Sequence, residues 1–95
     1  MHVDEINITN SVNIFKLISD ETRMKILISI IDESKSVNEI VRAVNVSQSG
    51  ISHQLKLLKE GRIVKSERRG KSILYSLDDE HIRQLLLLTL AHSNE

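Results

Sequence analysis

Apolar residues in the first third of the chain recur at helical intervals. Ile8, Val12, Phe15 and Ile18 predict a helix over residues 6–18, because steps of three and four return to one face at 3.6 residues per turn. Asp20 reads as the N-cap of a second helix through Met24, Leu27, Ile28, Ile30 and Ile31, apolar enough to be the central core helix. Asp32-Glu33-Ser34-Lys35 breaks it. Ser36-Val37-Asn38-Glu39 matches a capping box, in which serine and glutamate each cover a backbone N–H of the other. A short helix follows through Ile40, Val41 and Val44, then a turn at Asn45-Val46-Ser47. Ser47 caps a fourth helix from Gln48 to about Lys59, with Ile51, Leu55 and Leu58 on one face. Beyond Glu60-Gly61 the period changes to two. Ile63-Val64 opens an extended segment, and Ile73, Tyr75 and Leu77 alternate as in a strand. Arg68-Arg69-Gly70-Lys71 forms the tip between them, with Gly70 free to take a positive φ.

The last stretch, Asp79-Glu80-His81 to His92-Ser93-Asn94-Glu95, reads as a fifth helix. It holds Leu85, Leu86, Leu87, Leu88 and Leu90. Five leucines in six positions exceed one core-facing stripe, so a second apolar face must be buried, most simply by a partner subunit. His81 and His92 are eleven residues apart. On a helix that separation returns to within about 20° of the same face but leaves the ends roughly 16 Å apart. Zinc–ligand bonds are about 2 Å, so one helix cannot bring Asp79, His81, His92 and Glu95 to one ion. Two antiparallel copies can, giving two equivalent sites of two imidazoles and two carboxylates, suited to zinc or cobalt. Each residue also has an ordinary explanation. Asp79 serves as a helix cap or first-turn acid, His92 as a cation at a helix C-terminus, and His81 as a surface residue.

Two helices joined by a three-residue turn form a helix-turn-helix plan. The second presents Gln48, Ser49, Ser52, His53 and Lys56 beside or opposite its apolar stripe, and groups of this size meet base edges in a major groove. The following hairpin reads as a wing that lays Arg68, Arg69 and Lys71 against the phosphate backbone or in the minor groove. The bland alternatives are a surface helix, a solvated turn and a histidine unconnected with DNA. The expected fold class is mainly α with a two-stranded β wing, one domain over residues 1–95.

Composition narrows the function. Net charge is zero, yet residues 54–75 hold seven basic groups (Lys56, Lys59, Arg62, Lys65, Arg68, Arg69 and Lys71) against Glu60 and Glu67, and both flanks are acidic. A local basic patch on a neutral body is the footprint of an anion-binding surface. The absence of cysteine removes disulfide scaffolds, thiolate catalysis and cysteine-rich metal sites. Phe15 and Tyr75 are the two aromatic residues, too few for the stacking platforms of single-stranded or RNA binders, so double-stranded DNA is the expected partner. A 95-residue chain buries only about 60–65% of its unfolded surface, and dimerisation adds stability. No apolar run approaches the roughly 20 residues that span a membrane. Met1-His2-Val3-Asp4-Glu5 does not read as a signal peptide, so a cytoplasmic location is expected. His2 is unassigned.

The chain resembles the winged-helix metal-sensing repressors of the ArsR/SmtB family over nearly its whole length. The likeness is carried by Val46-Ser47-Gln48-Ser49-Gly50-Ile51-Ser52-His53-Gln54-Leu55-Lys56-Leu57-Leu58, by Tyr75-Ser76-Leu77-Asp78-Asp79, and by the terminal Asp-x-His-x10-His-x-x-Glu. It implies five helices and a two-stranded wing in a homodimer joined through the first and last helices. The terminal motif is similar to that of the family's zinc and cobalt sensors, which implies a metal at Asp79 and His81 of one subunit and His92 and Glu95 of the other. The resemblance further implies a hydrogen bond from the non-ligating nitrogen of His92 to backbone near Arg62, Ile63 or Val64, and a metal-export gene as target. The third helix departs from the family's arsenic, cadmium and lead sensors, which carry cysteines there. It reads Ser36-Val37-Asn38-Glu39-Ile40, which excludes thiol-based sensing. Glu95 ends the chain, and either its side chain or its α-carboxylate is available as the fourth ligand.

The expected function is that of a zinc-responsive repressor, with cobalt as the second candidate metal. It binds a palindromic operator as a metal-free homodimer and leaves it when metal binds. The rival readings are a winged-helix repressor of another effector with structural histidines, a metallohydrolase, and a protein-interaction winged helix. The hydrolase fits poorly, because catalytic zinc keeps three protein ligands and an open position.

Overall fold

A computed structural model describes residues 7–95; Ile6 and His2 lie outside that range. Among the described residues are five helices and one antiparallel hairpin, in the order α1 Ile8–Ile18, α2 Glu21–Ser29, α3 Val37–Val44, α4 Gln48–Glu60, β1 Val64–Arg69, β2 Ser72–Leu77 and α5 Glu80–Ser93. Each helix begins at a side chain that covers a free backbone donor three residues on. Asn7 accepts from Asn10 N–H, Asp20 from Arg23, Ser36 from Glu39, Ser47 from Gly50 and Asp79 from Ile82. At Ser36 the box is complete, since Glu39 Oε1 accepts the Ser36 N–H at 3.0 Å.

Ile26, Leu27, Ile40, Ile51, Leu58 and Ile63 are fully enclosed, and Ile30, Leu55, Val64 and Leu86 nearly so. α2 is shorter than its apolar run predicts. It stops at Ser29, with Ile30 as its C-cap. Ile26 is the buried residue that the periodic reading passes over, whereas Ile28 is 39% exposed. The run from Ile26 to Ile31 is apolar at every position but Ser29, so periodicity alone could not choose its inner face. The Asp32–Lys35 break also has a structural role: Lys35 and Tyr75 exchange backbone hydrogen bonds of 2.9 and 2.8 Å, tying this loop to the wing.

The hairpin pairs Val64 with Leu77 and Arg69 with Ser72, which leaves Gly70-Lys71 as a two-residue turn. Gly70 has φ 61, as a first central position with glycine requires. Arg68 and Arg69 are therefore the last residues of β1, one step before the turn itself.

Helix α4 closes differently from the way its glycine implies. Gly61 is the C-cap at φ −85, and the left-handed residue is Arg62 at φ 60. Ile63 N–H reaches Leu58 O at 2.9 Å and Arg62 N–H reaches Lys59 O at 3.1 Å, the paired bonds of a Schellman closure. Gly61 is needed for close approach: a Cβ there would lie 2.1 Å from Leu17 Cδ1 of α1. Two stability effects of opposite sign follow. Gly61→Ala should destabilise by about 1–2 kcal/mol through overpacking, and in a Leu17→Ala background the same change should cost nothing. Arg62→Gly should stabilise by roughly 0.5–1 kcal/mol, the relief of left-handed strain less the added freedom of the unfolded chain. Denaturant melts of the four variants check both signs.

Candidate nucleic-acid interface and metal centre

Helix α3, the turn and α4 form one packed unit. Asn45 ends α3 in the left-handed conformation at φ 62, and its N–H closes on Val41 O at 2.8 Å. Ser47 Oγ accepts from Gly50 N–H at 3.1 Å. A Cβ at Gly50 would sit 3.1 Å from both Ser47 Oγ and Val46 Cγ1, so glycine lets the first turn of α4 lie close against the bend. Burial of Ile51, Leu55 and Leu58 fixes the rotation of α4. Gln48, Ser49, Ser52, His53 and Lys56 are consequently all exposed. At the wing tip Arg68, Arg69 and Lys71 are exposed as well, and the contact from Arg69 Nε to Glu67 at 3.7 Å is loose.

Arg23 is a residue that the sequence reading missed. Its guanidinium donates from Nε to Leu17 O at 2.6 Å, from Nη2 to Lys16 O at 3.4 Å and from Nη1 to Gln54 Oε1 at 3.0 Å. It thus joins the end of α1 to the middle of α4. The available signal was Gln54 itself, a half-buried polar residue at the edge of an apolar stripe.

The four terminal ligand candidates form two pairs. Asp79 Oδ1 caps α5 through Ile82 N–H at 3.0 Å, while Oδ2 lies 3.5 Å from His81 Nδ1. His92 Nδ1 lies 2.8 Å from Glu95 Oε2. The Ile82 N–H holds the Asp79 carboxyl below its ordinary 3.8, with smaller help from His81. Both imidazoles are open to solvent, 96% and 87% exposed. Tetrahedral zinc with bonds near 2 Å sets neighbouring ligand atoms roughly 3.3 Å apart, so either pair suits one ion with small rotations. One unbroken helix lies between the pairs, and among the described residues no three ligand-type side chains converge. Asp79 and His81 also line a groove of about 770 Å³ between α1 and α5, with Asn10, Asn13 and Arg62 on its other walls.

Comparison with known proteins gives the family and the fold. The profile of bacterial regulatory proteins of the arsR family matches residues 20–66. A cadmium resistance transcriptional regulatory protein CadC homolog from Staphylococcus aureus is 39% identical over 83 residues, covering 86% of this chain and 69% of that protein. The chain belongs to the arsR family. A second relative, the HTH-type transcriptional regulator KmtR of Mycobacterium tuberculosis, is 37% identical over 76 residues. That match takes in 80% of this chain and 58% of KmtR, so the chain spans little more than half of that relative. Among solved structures, the homodimeric winged helix-turn-helix DNA-binding domain of Mb0332 from Mycobacterium bovis matches with a TM-score of 0.87 at 23% identity. The match covers 93% of this chain and 82% of that one. The fold is therefore the winged helix-turn-helix of the arsR regulators. The relatives bear the names of transcriptional regulators, not of enzymes. No helix among the described residues is long and apolar enough to cross a membrane.

The α3 box carries a pH signature. Donation from Ser36 N–H is the largest of the causes that hold the Glu39 carboxyl below its ordinary 4.5. A depressed carboxyl stabilises the fold above its unfolded value and loses that contribution as pH falls through its folded value. Wild type should therefore lose more thermal stability than Glu39→Gln as pH drops from neutral to below 4.5. Parallel pH profiles for the two proteins would contradict this.

Proposed function

We propose that this chain is a metal-responsive transcriptional repressor that binds duplex operator DNA as a metal-free homodimer and is released by zinc, with cobalt as the alternative ion. The observation that carries the reading is the pair of half-sites, Asp79/His81 and His92/Glu95, at opposite ends of one continuous helix. Neither half holds an ion alone. A second copy of α5 running antiparallel completes both.

The surface available for that second copy is apolar. Ile8, Val12 and Phe15 form a stripe on α1 that is 67%, 43% and 59% exposed, and Leu88 on α5 is 67% exposed. Exposed side chains of this size at helical spacing mark a contact surface. The Mb0332 domain of the same fold is homodimeric, which supports a dimer here.

In this scheme Gln48, Ser49, Ser52, His53 and Lys56 of each subunit face a major groove, and Arg68, Arg69 and Lys71 lie along the backbone. Asp79 and His81 of one subunit and His92 and Glu95 of the other hold the ion, whose charge and four-coordinate preference tie the two α5 ends together. Asp79 can do this and still cap α5, since each role uses one carboxylate oxygen. The site is joined to the DNA-facing part by backbone. Asp78 N–H donates to Ile63 O at 2.9 Å, and Ile63 N–H donates to Leu58 O at 2.9 Å. A shift of the α5 start therefore pulls on the α4–β1 junction. The bond proposed from His92 to this junction has the Arg62 backbone as one acceptor within reach, since Arg62 lines the groove beside His81.

The purified protein should take up zinc at one ion per subunit, with operator affinity falling by roughly 5–150-fold, the usual range of allosteric coupling. His81→Ala should abolish tight uptake. Uptake unchanged in that variant, or operator affinity indifferent to zinc, would refute the metal reading while leaving the repressor reading intact. His92→Asn should keep operator binding and lose its metal response. The logarithmic salt slope of operator binding should flatten by about 1.8 for each of Arg68, Arg69 and Lys71 changed to Ala, one phosphate contact per subunit and so two per dimer. A slope unmoved by all three would remove the wing from the interface.

A further inference from the structure

Helix α4 is attached to α1 at two points. At its C-terminal end, Gly61 lies so close to Leu17 that no Cβ fits between them. Seven residues earlier, Gln54 Oε1 accepts from Arg23 Nη1 at 3.0 Å, while the same guanidinium holds the last-turn carbonyls of α1 at Leu17 and Lys16. A cation there also suits the negative end of the α1 dipole. Arg23 is itself anchored, since its own N–H donates to the Asp20 cap at 2.9 Å. The two attachment points are roughly 10 Å apart along α4.

One contact leaves a helix free to pivot, whereas two at that separation fix its axis. We propose that the Arg23–Gln54 bond is a strut that sets the direction of α4 relative to α1, and so carries the geometry of the subunit interface to the DNA-facing residues. Without it, α4 and the α3 packed against it keep only the Leu17–Gly61 contact to α1, and the unit tilts relative to α1 about that point. The end that swings furthest is the N-terminal half, which bears Gln48, Ser49, Ser52 and His53. Gln54 and Arg23 are then positioning residues for operator binding; neither needs to touch DNA. The proposal rests on the repressor reading and on α1 lying at the subunit interface, but it does not depend on the identity of the metal.

The test is a double-mutant cycle on the intact dimer, using metal-free protein and a duplex that wild type selects from a randomised pool. Arg23→Ala and Gln54→Ala should each weaken binding of that duplex by roughly tenfold, the usual weight of a hydrogen bond to a charged group when half exposed. The double variant should be no weaker than the worse single one, because both changes break the same bond. Dimer dissociation and zinc uptake of Gln54→Ala should match wild type, which a general loss of structure would not allow. If Arg23→Ala does not fold, Arg23→Lys keeps the charge and removes the planar fork, and takes its place in the cycle. Additive losses would mean that Gln54 contacts DNA directly, and would overturn the strut. So would a Gln54→Ala variant that melts lower yet binds the duplex as wild type does. Wild type that selects no duplex would instead refute the repressor reading.

Discussion

The seating of α4 is the constraint on which the DNA-facing surface depends. Ile51, Leu55 and Leu58 occupy one face of a thirteen-residue helix and are at most 1% exposed. Burying such side chains is worth roughly 1.5–3 kcal/mol each, far more than any surface contact of the opposite face. A rotation large enough to turn Ser52 inward would bring Leu58 out, so the outward set is a consequence of the inward one. Direction is a separate matter. Apolar packing resists rotation and lateral escape, but it is not directional. Polar contacts with fixed geometry must supply the aim, and the closures at Ser47, Arg62 and Gln54 are placed at the start, the end and the middle of the helix.

The outer helices present the opposite problem. α5 buries Ile82 and Leu86 but leaves Leu88 largely in water, and α1 buries Ile18 while exposing Ile8, Val12 and Phe15. In a chain of 95 residues such exposure gives up stability that a small core can ill spare. Covering these faces and completing the two half-sites calls for the same partner in the same place, so one assembly would satisfy both.

Much of this was legible because it is local. The caps at Asp20, Ser36, Ser47 and Asp79 depend on a side chain and a donor three residues apart, a distance that sequence displays directly. The wing was legible for the same reason: a change of period on either side of a glycine. What failed had tertiary causes. α1 carries two apolar faces, and periodicity found Ile8, Val12, Phe15 and Ile18 without showing that Ile18 alone of these meets the core, together with Ile14 and Leu17. Glu60-Gly61 marked the end of α4 correctly, but not that Arg62 takes the left-handed backbone while the glycine is there for Leu17. The bond between Arg23 and Gln54 spans 31 positions, and no local rule reaches so far. The pairing of Asp79 with His81 and of His92 with Glu95 was within reach of helical spacing. Which copy completes each pair belongs to an assembly that one chain does not contain.

Electrostatics sharpens the account of metal release. Divalent ions at the α5 ends would add positive charge to a dimer whose DNA-facing segment is already basic. By charge alone they would strengthen attraction for phosphate. Screening over about 8–10 Å at physiological salt would weaken that attraction with distance but not reverse its sign. In the proposed scheme release would therefore have to come from geometry, and would have to be large enough to overcome an opposing charge term. That requires a stiff path from α5 to α4. Two backbone hydrogen bonds in series, from Asp78 to Ile63 and from Ile63 to Leu58, supply such a path, because they join the first residues before α5 to the last turn of α4 without passing through a flexible side chain.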